Sequence, residues 1–312
     1  MSTIKYDIKK TALKGKRNNH TVRLYLRAID RFWRWAKTKG YRSLDQIPDI
    51  SALIEEYVAD LTAQGYSAST IHSYVAPITH GLGFSKEESR AVRKPRRVAA
   101  ENIRGRGPQH KDAQRPEFAR LVAFQTVVGI RRAELEKLTT ACLAADESGY
   151  LCIDVKRGKG GKRQLQRVLP GDELIVLDTV ASSTWSTVFT PREMRNKIDL
   201  HKLRAEQARR AYDYYLKRLE TEPDYRDGLT GELILRFMHL HRKPSAESLD
   251  RFLAQVTTKT GKTTWDLNGA NRKRAEKLGR PVSYDRLALL AVSVFHLSHW
   301  RLDVTVSNYM IA

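Results

Sequence analysis

The chain has 312 residues, 41% of them hydrophobic, which is long and apolar enough for two cored domains and excludes a disordered chain. Its 56 Lys and Arg outweigh 35 Asp and Glu, and the resulting net charge of +21 points to a polyanionic partner. There is no apolar run of roughly 18 residues and no apolar signal core behind the Lys-rich N-terminus, so nothing marks the chain for membrane or export and a cytoplasmic protein is expected. Cys142 and Cys152 sit in apolar surroundings without CxxC spacing and read as reduced core residues, so no zinc site can be built from them.

In chain order, residues 1–17 carry Lys5, Lys9, Lys10, Lys14, Lys16 and Arg17 with little apolar periodicity, and read as a flexible basic arm or a solvated tail. From Thr21, Val22, Leu26, Ile29, Trp33 and Ala36 recur at helical spacing, while Arg23, Arg27, Arg31 and Arg34 line another face. That second face suits bidentate contacts to phosphates, although a merely solvated face would look the same. A second helical pattern runs from Ile50 to Gln64 and stops at Gly65, and a third begins behind the candidate caps Ser67 and Ser69. Residues 18–90 therefore read as a small helical bundle. Over 91–108 the periodicity vanishes and basic residues, Arg93, Lys94, Arg96 and Arg97 among them, gather with Pro95, Gly105, Gly107 and Pro108. Such a stretch cannot bury a core; it reads as a linker crossing a phosphate backbone, with the domains on either side forming a clamp around a duplex.

The second half, 109–312, opens with a helix containing Phe118, Leu121, Val122, Gln125 and Val128. It ends at Gly129, and a new helix begins at Arg132, so a short turn presents Arg131. Tyr150 to Val155 and Leu165 to Leu169 read as strands of a hairpin whose Gly158–Gly161 turn carries Lys159. Ile175 to Leu177 and Thr187 to Phe189 are candidates for further short strands. A helix from Asp199 puts His201 and Arg204 on one face. Charged, irregular sequence follows over 220–281, and an apolar helix from Leu287 to Phe295 leads to His299 and Tyr309.

These residues carry a resemblance. Gly129-Ile130-Arg131-Arg132-Ala133-Glu134-Leu135 is similar to the first box of the tyrosine recombinases of the integrase kind; Lys159 matches their hairpin lysine in a Gly-Lys-Gly context, His201 and Arg204 their His-x-x-Arg box, and His299 and Tyr309 their Leu-Gly-His box with its later tyrosine. One box alone is weak; four in order are specific. Two departures stand out: Ser298 replaces the usual glycine, a small-for-small change, and the interval from Arg204 to His299 is much longer than the family's. The resemblance implies a mostly α (α+β) fold, with a helical core-binding bundle joined by a basic linker to a helical catalytic domain bearing a small antiparallel sheet, and with 220–281 as an accessory insert. It implies a site-specific DNA recombinase (integrase) of a mobile element, nucleoid-associated and acting on double-stranded DNA. It also implies a homo-tetramer on two DNA sites, with room for a directionality or DNA-bending factor.

The chemistry can be argued from the residues. A phosphodiester repels an incoming anion, and Arg131 and Arg204 would each offer paired planar donors to its oxygens and to the charge that grows in the transition state. A phenol has a pKa near 10, so Tyr309 needs a base, for which His201 is the candidate, with His299 as a donor to a phosphate oxygen. Lys159 would protonate the departing 5′-oxygen, with Lys156 and Lys162 as alternatives. The implied product is a 3′-phosphotyrosine with a free 5′-hydroxyl, formed without metal, nucleotide or other cofactor; no P-loop, acidic metal cluster or HExxH occurs. Glu134 reads as structural, pairing with a nearby base or holding its helix against the turn. A type IB topoisomerase or a non-enzymatic DNA-binding protein are the alternatives. The first would relax DNA without exchanging strands, and the second has no reason to carry all six groups.

Overall fold

A computed structural model of the chain describes residues 4–15, 19–95, 111–241, 243–256 and 263–311. The chain divides into two compact units, residues 1–103 and 104–312. Both are dominated by helices, and the mostly α fold class is borne out.

The first unit contains α1 (Ile4–Leu13), α2 (Asn19–Thr38), α3 (Ile50–Ala63), α4 (Ala68–Gly81) and α5 (Lys86–Ala91). Asp49 caps α3 by accepting from the Ser51 and Ala52 amides, and Ser67 caps α4 by accepting from Thr70, which satisfies amides that a helix start leaves open. Ile29, Phe32 and Trp33 of α2 meet Ile54, Tyr57 and Leu61 of α3 in a single core. The expected basic arm is helical instead over α1, which packs on α2 and α4 with Ile8 and Ala12 fully buried. The reason is Gly81: a Cβ there would overlap Ile8, so the bare glycine lets α1 lie directly on α4, and two apolar residues one turn apart suffice to dock it. Of the linker residues, Arg96 and Arg97 lie outside the described residues.

The second unit opens with α6 (Ala119–Val128) and α7 (Arg132–Leu135), followed by β1 (Leu143–Ala145), β2 (Leu151–Val155) and β3 (Gln164–Arg167) in an antiparallel sheet of that order, with Cys152 opposite Arg167 and Val155 opposite Gln164. Next come α8 (Glu173–Ala181) and α9 (Pro191–Met194), so the strand expected over Ile175 to Leu177 is helical. The short apolar run from Leu174 to Leu177 fits a half-buried helix as well as a strand. Thr187 makes only an isolated bridge to Thr139. Then follow α10 (Leu200–Thr221), α11 (Tyr225–Leu240), α12 (Ala246–Val256), β4 (Thr264–Asp266), α13 (Gly269–Lys277), β5 (Ser283–Asp285) paired antiparallel with β4, α14 (Arg286–Ala291), a π-helical turn Val292–His296, α15 (Leu302–Thr305) and a second π-helical turn Val306–Met310.

The described residues of 220–281, expected as an accessory insert, contribute to the core. Tyr225, Leu229, Leu233 and Phe237 of α11 and Phe252 of α12 share one buried cluster with α10, α14 and Tyr309. Its charges are also internal: Arg236, fully buried, donates to Asp146 Oδ2 at 2.6 Å, to Glu147 Oε2 at 2.9 Å and to the Leu165 carbonyl at 2.9 Å. Asp146 also accepts from Arg167 Nε at 2.8 Å, and the Arg167 guanidinium lies 3.8 and 3.9 Å from the ring centres of Phe295 and Tyr150. Asp146 thus bridges the two buried guanidiniums and ties α11 to the sheet, with Glu147 on Arg236 and Glu232 on Arg167 (2.6 Å) supplying the remaining negative charge. A charge-rich sequence conceals this, because charged residues are ordinarily solvated.

Candidate active site

All six candidate residues, Arg131, Lys159, His201, Arg204, His299 and Tyr309, line one cleft of about 530 Å³ in the second unit. Gly129 ends α6 in the left-handed region (φ 67°), where glycine carries no Cβ penalty, and the turn that follows throws Arg131 into the cleft. Gln125, fully buried, holds that turn: its amide accepts from the Ile130 N–H and donates to the carbonyls of Ile130 and Leu200. Arg131 Nη1 donates to Glu134 Oε1 (2.8 Å) and to Gln164 Oε1 (3.1 Å). Glu134 Oε1 also accepts from the Lys159 amide (3.0 Å) and from Gln164 Nε2 (3.1 Å). One carboxylate, 4% exposed, therefore ties the first arginine to the turn that bears the lysine. Gln164 packs so closely beneath Gly158 that a Cβ there would overlap it. The cleft lining includes Lys159 and neither Lys156 nor Lys162.

Asp199 caps α10 through the amides of His201 and Lys202, setting His201 and Arg204 in its first turns. Arg204 is fully buried; it donates to the carbonyls of Gly129 and Leu297 (2.9 Å to the latter) and, through Nε, to the Tyr309 hydroxyl at 3.4 Å. Burial lowers its pKa, opposed by the Tyr309 hydroxyl and reinforced by nearby Arg131. Tyr309, 3% exposed, lies within the second π-helical turn, and its carbonyl accepts from Arg209 Nη1 at 2.8 Å. Its ring lies between two imidazoles, His201 and His299, each 5.3 Å away centre to centre.

The phenolic oxygen is 2.9 Å from His299 Nε2, and Arg131 Nη2 lies 3.4 Å from the same nitrogen. A guanidinium only donates, so Nε2 is the acceptor and the ring's proton is on Nδ1. Burial, with the positive charges of Arg204, Arg131, Lys159 and His201 after it, pushes the His299 pKa down to about 3, and the ring is neutral near pH 7. Two donors, the Arg131 guanidinium and the Tyr309 hydroxyl, are thus aimed at His299 Nε2, and the His201 ring lies 5.3 Å from the Tyr309 ring centre to centre.

Of the residues expected to contact DNA, Arg23, Arg27 and Arg34 are exposed on α2 and Arg93 is exposed beyond α5. Arg31 is occupied: it donates to the Tyr66 hydroxyl at 2.7 Å and lies over the rings of Tyr66 and Tyr74. Lys94 donates to the Ser89 carbonyl. Sequence reasoning missed Gln125, Gln164 and Arg209, polar residues in otherwise apolar or basic runs whose partners lie far along the chain.

Residues 10–80 match the family model of the phage integrase N-terminal SAM-like domain, and this match supports a tyrosine recombinase. Among solved structures the chain is similar to the crystal structure of XerA recombinase at 16% identity, over 89% of this chain and 98% of that one, with a TM-score of 0.23, a likeness too low to carry a statement about fold or function. No curated protein matches the chain. Among the described residues no helix is long and apolar enough to cross a membrane.

Proposed function

We propose that the chain breaks and rejoins DNA strands through a 3′-phosphotyrosine intermediate, as a recombinase serving a mobile element. The phenolic oxygen of Tyr309 attacks the phosphorus while its proton passes to His299 Nε2. The bond from phosphorus to the 5′-oxygen breaks, and Lys159 gives that oxygen a proton, leaving a 5′-hydroxyl. Arg131 and Arg204 hold the non-bridging oxygens and the charge that builds on them, an effect on the order of 3 to 4 kcal/mol for one donor group in comparable sites. The ester retains the energy of the broken bond, so a hydroxyl from another strand can reverse each step. Duplex DNA is the substrate, met by the exposed arginines of α2 and by the basic stretch before the second unit.

The observation that supports this reading best is the 2.9 Å approach of Tyr309 Oη to a neutral histidine nitrogen, in a cleft that also holds Arg131, Arg204 and Lys159. A phenol that is hydrogen-bonded to a base and surrounded by cations has the proton acceptor and the charge stabilisation that attack on phosphate needs. The test uses a pool of nicked duplexes with a randomised centre, incubated with the protein and run on a denaturing gel. The parental chain should give a covalent protein–DNA band that Tyr309→Phe abolishes. A band that persists in Tyr309→Phe assigns the nucleophile elsewhere. Duplexes recovered from the band then serve as fixed substrates, and transfer of a labelled strand to a second duplex separates recombination from simple relaxation.

A further inference from the structure

The residues on either side of His299 have left-handed backbones, Ser298 at φ 50° and Trp300 at φ 57°. Neither is glycine, and such conformations persist in other residues only where the surroundings over-determine them. Some of that restraint is local: the His299 amide donates to the Ser293 carbonyl and the Arg301 amide to Ser293 Oγ, both at 2.9 Å. The rest comes from a distant part of the chain. The Trp300 indole meets Phe237 edge to face at 5.6 Å, His241 at 5.3 Å and Phe252 at 5.5 Å between ring centres. Those three rings are themselves stacked, Phe237 on Phe252 at 4.3 Å and on His241 at 4.5 Å, and His241 Nδ1 is 3.0 Å from the Phe237 carbonyl. A rigid aromatic face built on α11 and α12 thus fixes the orientation of the residue next to the histidine.

We propose that Trp300, held by Phe237, His241 and Phe252, is a positioning residue that aims His299 Nε2 at the Tyr309 hydroxyl, so that α11 and α12 set the geometry of the active site. The proposal rests on His299 being the proton acceptor. Trp300 does not touch the reacting atoms; it acts through the peptide that joins it to His299. Released from that anchor, the turn over 298–300 relaxes out of its strained conformation and the imidazole swings away from Arg131, Arg204, Lys159, His201 and Tyr309, the groups that surround it. Its Nε2 then meets solvent in place of two protein donors.

The experiment follows the His299 ring by nitrogen-15 NMR in the full chain without DNA, across a pH titration. In the parental protein His299 stays neutral well below pH 6. Trp300→Ala should bring its midpoint up toward the ordinary value of about 6.5, and Trp300→Phe, which keeps an aromatic edge, should restore the low one. Phe252→Leu, milder because it keeps most of the volume, should shift the midpoint in the same direction and serves if Trp300→Ala does not fold. A low midpoint and unchanged ring shifts in folded Trp300→Ala, or in Phe252→Leu where the first variant is unfolded, would overturn the proposal.

A second arm measures single-turnover cleavage of the recovered duplexes. The expected loss at neutral pH is on the order of 10²-fold, as for a displacement of about 1 Å in a catalytic group, with DNA affinity unchanged. Trp300→Phe should recover most of the lost rate. A Trp300→Ala variant that is folded and cleaves at the parental rate would count against positioning. Absence of any covalent product from the parental chain defeats the recombinase reading but leaves the NMR result to decide the positioning role.

Discussion

At the scale of single residues, the two arginines of the cleft are not equivalent. Arg131 is held from outside by Glu134 and Gln164, whereas Arg204 is a structural tie whose donors also satisfy the Gly129 and Leu297 carbonyls. Arg131→Ala should therefore lower cleavage by about 10² to 10³-fold with little change in Tm. Arg204→Ala should lose cleavage and also melt several degrees earlier, because two buried carbonyls are left without donors. Equal Tm for both variants in a thermal scan would contradict this distinction. Ser298 is not a neutral replacement for glycine. Its left-handed backbone costs about 1 to 2 kcal/mol, and its buried hydroxyl finds no partner among the described residues. Ser298→Gly relieves both and gives back about 0.5 to 1 kcal/mol through the freer unfolded chain. The expected outcome is a Tm unchanged or raised by up to about 4 °C, and a clear fall in Tm would contradict the strain argument.

At the scale of elements, the long interval between Arg204 and His299 is the main surprise. Its residues are charged and its apolar positions sparse, yet Arg236 is 0% exposed and Phe237, Phe252 and Tyr225 lie within the same core as Tyr309. Excision of residues 222–281 with a short linker should accordingly abolish cooperative unfolding by circular dichroism rather than merely alter DNA binding. Asp146→Ala, which strips the shared carboxylate from two buried guanidiniums, should cost about 3 to 5 kcal/mol in denaturant titration. A loss below about 1 kcal/mol would mean that Glu147 and Glu232, which already pair with Arg236 and Arg167, suffice without it.

The caps of α3 and α4 and the apolar stripe of α2 were readable because these signals lie within a few turns of the chain. The hairpin bearing Lys159 and the order of the six polar groups were readable for a similar reason, since short motifs carry them. The core role of α11 and α12 was not readable, because it depends on which distant carboxylate meets Arg236 and which indole meets Phe252. The helical state of residues 4–13 was likewise hidden, since it depends on a glycine far along the chain. The 2.9 Å approach of His299 Nε2 to the Tyr309 hydroxyl was not readable either, because packing sets it.

At the scale of the whole molecule, two buried imidazoles couple stability to pH. His296 is fully buried; its Nδ1 accepts from Gln207 Nε2 and its Nε2 meets the Tyr215 hydroxyl, so the neutral ring has both partners. Burial, and after it the charges of Arg167 and Arg236, hold its pKa well below the ordinary value, and His299 behaves likewise. The folded pKa lies below the unfolded value of about 6.5, so below that pH the unfolded chain takes up protons that the folded chain refuses. Stability is therefore fully present above about pH 6.5 and falls as the solution is acidified, by at most about 1.4 kcal/mol per pH unit for each ring. Urea midpoints should drop between pH 7.5 and pH 5, and equal midpoints would show that the rings are hydrated in the folded state.

The two π-helical turns have a consequence of a different kind. A π-turn is a helical turn that carries one residue more than its neighbours. The turn Val306–Met310 carries Tyr309, so the direction in which the phenol points depends on how many residues precede it as well as on which residues they are. Deleting Ser307 would let the segment wind as an ordinary α-helix, in which each residue advances the chain by about 100°. The phenol would then rotate away from His299 and Arg204 even though every side chain of the cleft were still present in the sequence. The reactive alignment is in this sense written as a count, and a single codon lost from this stretch would erase it as completely as replacing the tyrosine.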